Sequence, residues 1–581
     1  SSKTITKNYY LTPQAENTFT LPVVAINVDE NLLFDYEKGI NVPGKDFDDW
    51  RTINPLGDAN FSDANYIRSG DDWEIKGNFS YFVNGNEILN QDVGIRINGG
   101  FTRVFPNKSL RLYARSEYGN DTFNYKFFND ESDESFKRLI LRNSGNDIYS
   151  TYFRDAFIQK TVQHLNFDTQ AYQPTVVFLN SEYWGLLNLR ERYDKHYFER
   201  VYGIEETELD FLEHNGFFVQ EGDYIHYFNM MNFIENNSLS EQENYNYVKT
   251  QLDPENYIDY FSTEIFIRNT DWPGNNIEFF RKKTTEYEPN APYGQDGRWR
   301  WVLKDTDFGF GNIGGELSYL HDTLAFATSE EVNGDVGPNP AWSTLLFRKL
   351  LENNEFKNQF INRFADLMNT TFLPARVKSI IEEMKTGIEA EIGAHRQRWN
   401  DGTITQWNTE IETMKTFADK RPAEQRNHIL QKFDINSTIN ATLDVSSVEN
   451  GYIKINTIEI KEGTPPIVGN PYPWTGIYFE GIPVKLKAIA LPGFKFSHWS
   501  GASNSTDEEI TITSSNSFNV TAVFTPDATT TSEPIYFWMM NSTIANNQPL
   551  TTLNTTFKAG SVDGFIDYQS CLIGYPFTSA D

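Results

Sequence analysis

A change of hydrophobic period along the chain limits what it can fold into more than any other feature. Leu21–Asn27 is a short apolar run rich in β-branched residues, the pattern of a buried strand. Asp72–Phe82, Val93–Asn98 and Ser109–Tyr113 alternate with period two between turn signals, which predicts antiparallel strands. Pro174–Leu179 and Tyr183–Leu189 predict a hairpin over Asn180-Ser181-Glu182. Thr151–Leu165 repeats at three and four and reads as a helix, as do Asp194–Tyr202 and Tyr257–Ile267. Later, Pro340–Phe360 and Leu373–His395 are amphipathic helices, and Pro422–Lys432 is a third. Ser447–Phe524 then returns to turns and alternating strands. An α+β chain with a separate small β unit follows. Residues 41–72, dense in Asp, Asn, Gly and Pro, read as a long loop.

The flanks are weaker. Residues 1–20 form a polar N-terminal extension with one strand near Asn8–Leu11. Pro526–Pro534 is a Thr/Ser/Pro linker. Residues 535–581 have aromatic, strand-like runs but too little length for a core of their own.

Composition excludes several classes. The 581 residues suit about two to four domains. With 15% aromatic residues the chain has ample material for packed cores. A net charge of −30 repels phosphate backbones and anionic lipid, so nucleic acid is not an expected partner. No apolar run reaches membrane-spanning length, so no transmembrane segment is expected. The single cysteine, Cys571, rules out a disulfide within the chain or a cysteine zinc site. The eight histidines show no zinc spacing.

Two acidic segments carry the chemistry. Asn269–Asn276 contains Asp271, then Pro273-Gly274, then Asn276 five positions on. Lys304–Gly311 contains Asp305 and Asp307 running into Phe308-Gly309. Phosphoryl transfer needs an anion to orient the attacking hydroxyl and oxygen ligands to hold divalent metal on the phosphates. Protein kinases draw both from Asp-x4-Asn followed by Asp-Phe-Gly, and the same order occurs here. Ile277–Arg281 and Arg298–Leu303 read as strands. If they pair, Asp271 enters the hairpin at the end where Asp307 leaves it. Asp305 is expected on the same side of an extended strand as Asp307.

Residues 21–430 also resemble a known family. Leu21-Pro-Val-Val, Ile95-Arg-Ile-Asn-Gly-Gly, Arg103 with Lys108-Ser109, Tyr183-Trp-Gly-Leu-Leu-Asn-Leu-Arg-Glu191 and Asp305-Thr-Asp307-x-x-Phe310-Gly311 stand in the order of the CotH, or spore-coat-protein-H-like, kinases. The resemblance implies an atypical protein-kinase-like bilobal domain over residues 21–437. Its N-lobe strands would run to about residue 190 and its C-lobe over about 191–437. It also implies ATP and Mg2+ (or Mn2+ or Ca2+) as cofactors. Asp271 would be the catalytic base, and Asp307, Asn276 and Asp305 the metal ligands. The spacing of five favours Asn276 over Asn275. Lys108 would neutralise phosphate, with Arg103 and Arg111 as neighbours able to substitute. Glu191 would serve the nucleotide or pair with Lys108 or Arg192, and Arg154 is a further phosphate candidate. No Gly-x-Gly-x-x-Gly loop precedes Lys108; the pattern occurs only at Gly309–Gly314.

Residues 446–525 resemble a β repeat of bacterial surface proteins, so this small module is expected to be all-β or β-grasp-like. Together the resemblances imply an exported or cell-surface kinase, anchored through a leader removed from the N-terminus, acting on an extracellular protein hydroxyl. The alternative is a non-catalytic adhesin that keeps the fold. A distant third is a carbohydrate hydrolase with paired carboxylates and tryptophan platforms.

Overall fold

A computed structural model describes residues 6–9, 19–129, 133–330 and 338–527. The expected C-terminal segment 535–581 and half of the expected strand at Asn8–Leu11 lie outside the described residues, and its described half, Asn8 and Tyr9, is not in a strand. Helix and strand contents of 35% and 25% make the protein a mixed α+β chain.

The early alternating segments close into a barrel. Its strands are Val23–Val28 (β1), Ile75–Val83 (β2), Asn86–Ile97 (β3), Leu110–Tyr113 (β4), Arg138–Arg142 (β5), Tyr172–Leu179 (β6) and Glu182–Arg190 (β7). They neighbour one another in the order β1-β2-β3-β4-β5-β7-β6, and β6 returns parallel to β1. Closure removes both sheet edges. Alternation decides which residues fill the barrel: Val24, Ile26, Val93, Ile95, Leu112, Leu139, Leu141, Leu187 and Leu189 share one core. The residues between them face outward, so β3, β4, β5 and β7 present Arg96, Arg111, Tyr113, Arg138, Arg142 and Arg190 on the outer wall. The β6–β7 turn uses Asn180 and Ser181, both at positive φ, as the turn sequence predicts.

Helix α1 (Arg154–Val162) follows the barrel's fifth strand. A second sheet of four strands has the order β9-β8-β10-β11, with β8 at Leu209–Glu213, β9 at Phe218–Glu221, β10 at Glu278–Lys282 and β11 at Arg300–Val302. Between β9 and β10 run α2 (Ile225–Asn236) and α3 (Pro254–Ile267). Asp253 caps α3 by accepting from Glu255 N and Asn256 N, and Pro254 sits at its start. That cap starts the helix three residues before the periodicity does. Almost every residue of α3 is buried, and it is the central strut of the helical region.

Helices α4 (Ala341–Leu350), α5 (Asn354–Asn369), α6 (Pro374–Ile388) and α7 (Ile404–Lys432) complete that region. Two differences from the sequence reading have simple causes. The long loop at 41–72 contains a helix, Gly44–Ile53, whose first turn is held by Arg68, which donates to the Asp46 carboxylate, and by Asn65 Oδ1, which accepts from Asp46 N. Pro422 does not start a helix but lies inside α7, whose capping box at Thr403 and Gln406 begins it far upstream.

Residues 438–526 form two four-stranded sheets with no helix, an all-β unit and not a β-grasp. The unit packs on α5. Buried Asp366 accepts from Tyr478 Oη (2.8 Å), Asn456 Nδ2 (3.2 Å), Thr457 N (3.1 Å) and Thr457 Oγ1 (2.6 Å). Asp366→Ala leaves the buried Tyr478 hydroxyl unpaired and the half-buried Asn456 and exposed Thr457 donors to water, with an expected loss of about 1–3 kcal/mol in urea unfolding. A loss below the scatter of exposed-surface variants would show that the contact does not join the two parts.

Candidate functional site

β10 and β11 pair antiparallel, Glu278 opposite Val302, so the chain enters β10 and leaves β11 at one end of the hairpin. Both acidic segments therefore emerge side by side. Lys304 straps this end by bridging Glu213 on β8 and Glu278 on β10.

Asp307 is buried and fully engaged. Its Oδ2 accepts from Arg142 Nη2 and Asn146 N, both at 2.9 Å, and its Oδ1 accepts from Asn146 Nδ2 at 3.2 Å. The turn after β5 fits closely around it. Gly145 has φ +60°, and a Cβ there would collide with Asp307 Oδ2, so this position needs glycine. The same Arg142 Nη2 donates to Asp305 Oδ1 at 2.6 Å. The two carboxylates thus share one guanidinium, but not through the geometry expected. The strand ends at Val302, and Asp305 has φ +51°, so a turn and not strand periodicity sets them together.

Asp271 follows α3, on a turn whose Trp272–Pro273 peptide is cis. Asn275 Nδ2 donates to its Oδ1 (3.2 Å) and Asn276 Nδ2 to its Oδ2 (2.8 Å). Both asparagines therefore orient Asp271, and Asn276 keeps its Oδ1 as a further donor atom. Trp272 is buried against Phe261 at 4.7 Å, which fills the core beneath the turn.

Electrostatics bind these groups into one site. Burial, and then the neighbouring Asp305, push Asp307 well above the usual carboxylate range. Burial also raises Asp271; Asn275 moderates the shift and Asp305 adds to it. Burial disfavours the charge on Arg142, but Asp305, Asp155 and Asp307 together hold it more firmly protonated than usual. Asp155 on α1 is also buried, yet Arg190 and Arg142 keep it well below its ordinary value, and Thr306 N donates to it at 2.9 Å. Thr306 between the two site aspartates is thereby pinned to α1.

The remaining expected residues lie elsewhere in the architecture. Lys108 Nζ donates to the Arg103 and Phe105 carbonyls, both at 2.8 Å, and stands 4.2 Å over Tyr66; burial brings it down to about 7. Arg103 donates to the carbonyls of Gly99 and Ile67. Both thus fold the turn before β4. Glu191 accepts from Ala171 N at 3.1 Å and pairs with Arg200, not with Lys108 or Arg192. Arg154 is buried, bonded to Asp147 and to the Phe310 carbonyl, and so anchors the loop after Asp307. The Gly309–Gly314 segment is folded back on α3, with Phe310 N donating to Ile267 O at 2.9 Å.

Sequence reasoning missed the arginine wall. Tyr113 is ringed by Arg96, Arg115, Arg138 and Arg192, with guanidinium carbons 4.6–5.8 Å from its ring. Arg111 lies one pair along, opposite Arg96 on β3. It donates to Asn98 Oδ1 at 2.6 Å and forms no ion pair among the described residues. Burial, and then Arg192, lower it to about 10. In a chain of charge −30 such a wall is unusual, and its signal was present as Arg at alternate positions of successive strands. Arg142 was missed because its partners lie more than 160 residues away.

The donor set is of hard oxygens, which suits Mg2+. Among the described residues no three acidic, His or Cys groups converge as a complete metal cage. Asp305 and Asp307, brought together on Arg142, supply two carboxylates of the kind that bind a metal whose shell is completed by phosphate and water.

The chain is α+β, and Arg142 on the barrel's outer wall ties its second acidic loop to the barrel. The family model described as CotH kinase protein matches residues 95–424, over half of the chain, and the protein belongs to that family. No curated protein matches the sequence. Among the described residues no helix is long and apolar enough to cross a membrane.

Glu264 on α3 is also part of this neighbourhood. Both its carboxyl oxygens are buried without a hydrogen-bond partner, and burial raises it to about 8. Asn269 lies near enough to temper that shift without reaching hydrogen-bond geometry, while Asp155, Asp305 and Asp271 add to it. The folded state therefore keeps a proton that the unfolded chain releases above about pH 4.3, so stability from this group falls as pH rises toward 8. Glu264→Gln is expected to raise the melting temperature at pH 8 and to leave it unchanged at pH 4. An equal effect at both values would rule out a buried neutral Glu264.

Proposed function

We propose that the protein is an atypical protein kinase that transfers the γ-phosphate of ATP to a protein hydroxyl. The observation that carries this is the meeting of the Asp271 and Asp305–Asp307 loops at one end of a hairpin, joined through Arg142 to an arginine-lined wall. Asp271, oriented by Asn275 and Asn276, accepts or directs the proton of the attacking hydroxyl. Its raised affinity for protons suits that task. Asp307, Asp305 and Asn276 Oδ1 would hold a divalent cation, which neutralises phosphate charge when bound. Arg111, Arg192 and Arg142, on the barrel side, would supply positive charge to the phosphates. Lys108 and Arg103 support this by shaping the turn that starts β4.

The bilobal reading, barrel lobe and helical lobe with the nucleotide between them, belongs to the same proposal. So do export, a surface location and the kinship of residues 446–525 with surface-protein repeats. One observation favours a non-catalytic adhesin instead: Arg142 already neutralises the two carboxylates a metal would use.

Calorimetry with ATP and Mg2+ separates the two. Heat of binding is expected for the parent protein and Asp271→Ala, and is lost in Asp307→Ala. Transfer to a protein acceptor is expected to drop by about 10²–10⁴-fold in Asp271→Ala. Absence of ATP binding in the parent protein would leave the adhesin reading standing. Arg111→Ala is expected to weaken ATP binding and to flatten its salt dependence. Unchanged affinity and slope would remove the arginine wall from the nucleotide site.

A further inference from the structure

The end of α3 beneath the Asp271 turn carries buried polar groups that the proposed chemistry does not use. Tyr260 and Glu264 stand four residues apart, which puts them on one side of the helix. α3 stops at Arg268, in the left-handed conformation at φ +63°, and the chain doubles back with Asn269 N donating to the Glu264 carbonyl at 3.2 Å. Asn269 to Trp272 are thereby laid over the end of the helix. The side chains of Tyr260, Glu264, Asn269 and Trp272 are all fully buried. Tyr260 Oη, both carboxyl oxygens of Glu264, Asn269 Nδ2 and Trp272 Nε1 have no hydrogen-bond partner among the described residues. Each such atom costs stability that an apolar side chain of the same shape would not, so packing alone does not account for the set.

These groups follow one another as neighbours. The Trp272 and Tyr260 rings lie 6.2 Å apart. Burial, and then Glu264, push the Tyr260 hydroxyl well above its ordinary range, and Trp272 opposes them. Around Glu264 itself, Asp155 of α1, Asp305 after β11 and Asp271 all disfavour its charge, and Asn269 alone favours it. The other end of the Asn269 side chain is already engaged, because its Oδ1 accepts from Asp271 N at 3.1 Å. A carboxamide has one donor end and one acceptor end. An acceptor on the far side of Asn269 therefore decides which end meets Asp271. With Nδ2 toward Glu264, Oδ1 faces the Asp271 amide; a flipped carboxamide would set one N–H against another.

We infer that Glu264 is a positioning residue for Asp271 and acts through Asn269: its carboxyl takes the Nδ2 donor and passes a hydrogen bond on to Tyr260, which fixes the carboxamide and with it the backbone at Asp271. The role of Asp271 rests on the kinase reading; the link from Glu264 to the turn does not. A neutral carboxyl offers the acceptor and the donor that this arrangement needs. Glu264 is held in that form below about pH 8, since burial and three acids act on it. Glutamine carries the same two groups in the same places, and leucine carries neither.

The test compares Glu264→Gln, Glu264→Leu and Asn269→Ala in the whole protein, with Glu264→Met in place of Glu264→Leu should the latter not fold. Hydrogen exchange, read by mass spectrometry on peptides spanning residues 268–276, is expected to quicken about tenfold in Glu264→Leu and Asn269→Ala and to keep the parent rate in Glu264→Gln. The melting temperature of Glu264→Leu is expected to equal or exceed that of the parent protein, so faster exchange there reports the turn and not general unfolding. Joining Glu264→Leu to Asn269→Ala is expected to add nothing further, because both break one link. In phosphate release from ATP with Mg2+, where water stands in for the acceptor hydroxyl, Glu264→Leu is expected to lower kcat about tenfold at unchanged KM, and Glu264→Gln to keep it. A parent-like turn in Glu264→Leu, a glutamine variant as fast as the leucine one, or additive effects in the double variant would overturn the inference. A parent protein that neither binds nor turns over ATP would count against the kinase reading alone, and hydrogen exchange would still decide whether Glu264 holds the turn.

Discussion

One guanidinium ties the barrel wall to both carboxylates of the second acidic loop. Arg142 leaves the outer wall of the barrel and holds Asp305 and Asp307, which come from the far end of a hairpin in the helical half. Its charge is costly to bury and is sustained only by the carboxylates around it. Those carboxylates would in turn repel one another without it. Asp155, Arg190 and Thr306 extend the arrangement into a network in which each charge has an opposite neighbour. Glycine at 145 and the backbone amide of Asn146 then fix Asp307 to the turn that follows Arg142.

The network also explains why the site is both rigid and chemically poised. Asp307, Asp271 and Asp155 are each oriented by at least one hydrogen bond from a backbone amide or a carboxamide, so little ordering of these three remains for a ligand to supply. Asp271 and Asp307 are nonetheless held above their ordinary affinity for protons, because burial disfavours their charge and the Asp305 carboxylate adds to it. Such a site gains from a second cation. It also gives Arg142 a double part, as the strut that closes the two halves and as the group a metal would have to share or displace.

The elements of the fold were legible wherever period and turn chemistry agreed. The Asn180-Ser181 turn, the paired strands flanking the acidic loops and the buried α3 follow from local pattern. Closure of the barrel did not, because β6 meets β1 across some 150 residues and no local signal encodes a parallel return. The helix at Gly44–Ile53 was hidden for a related reason: its composition favours a loop, and contacts from Asn65 and Arg68 override that preference. Within the site, Asp271, Asn276, Asp305 and Asp307 could be named from spacing. Lys108, Glu191 and Arg154 could be named too, but not their partners.

Sequence alone thus determined the α+β class, the family, and the two acidic loops, because these depend on residue type and short-range period. Tertiary structure alone decided that Asp305 and Asp307 share Arg142 and that arginines from β3, β4 and β5 stand together on the outside of the barrel. The physical reason is range. Periodicity acts over a few residues, whereas charges buried in a low dielectric select partners by distance in space, wherever the chain happens to bring them.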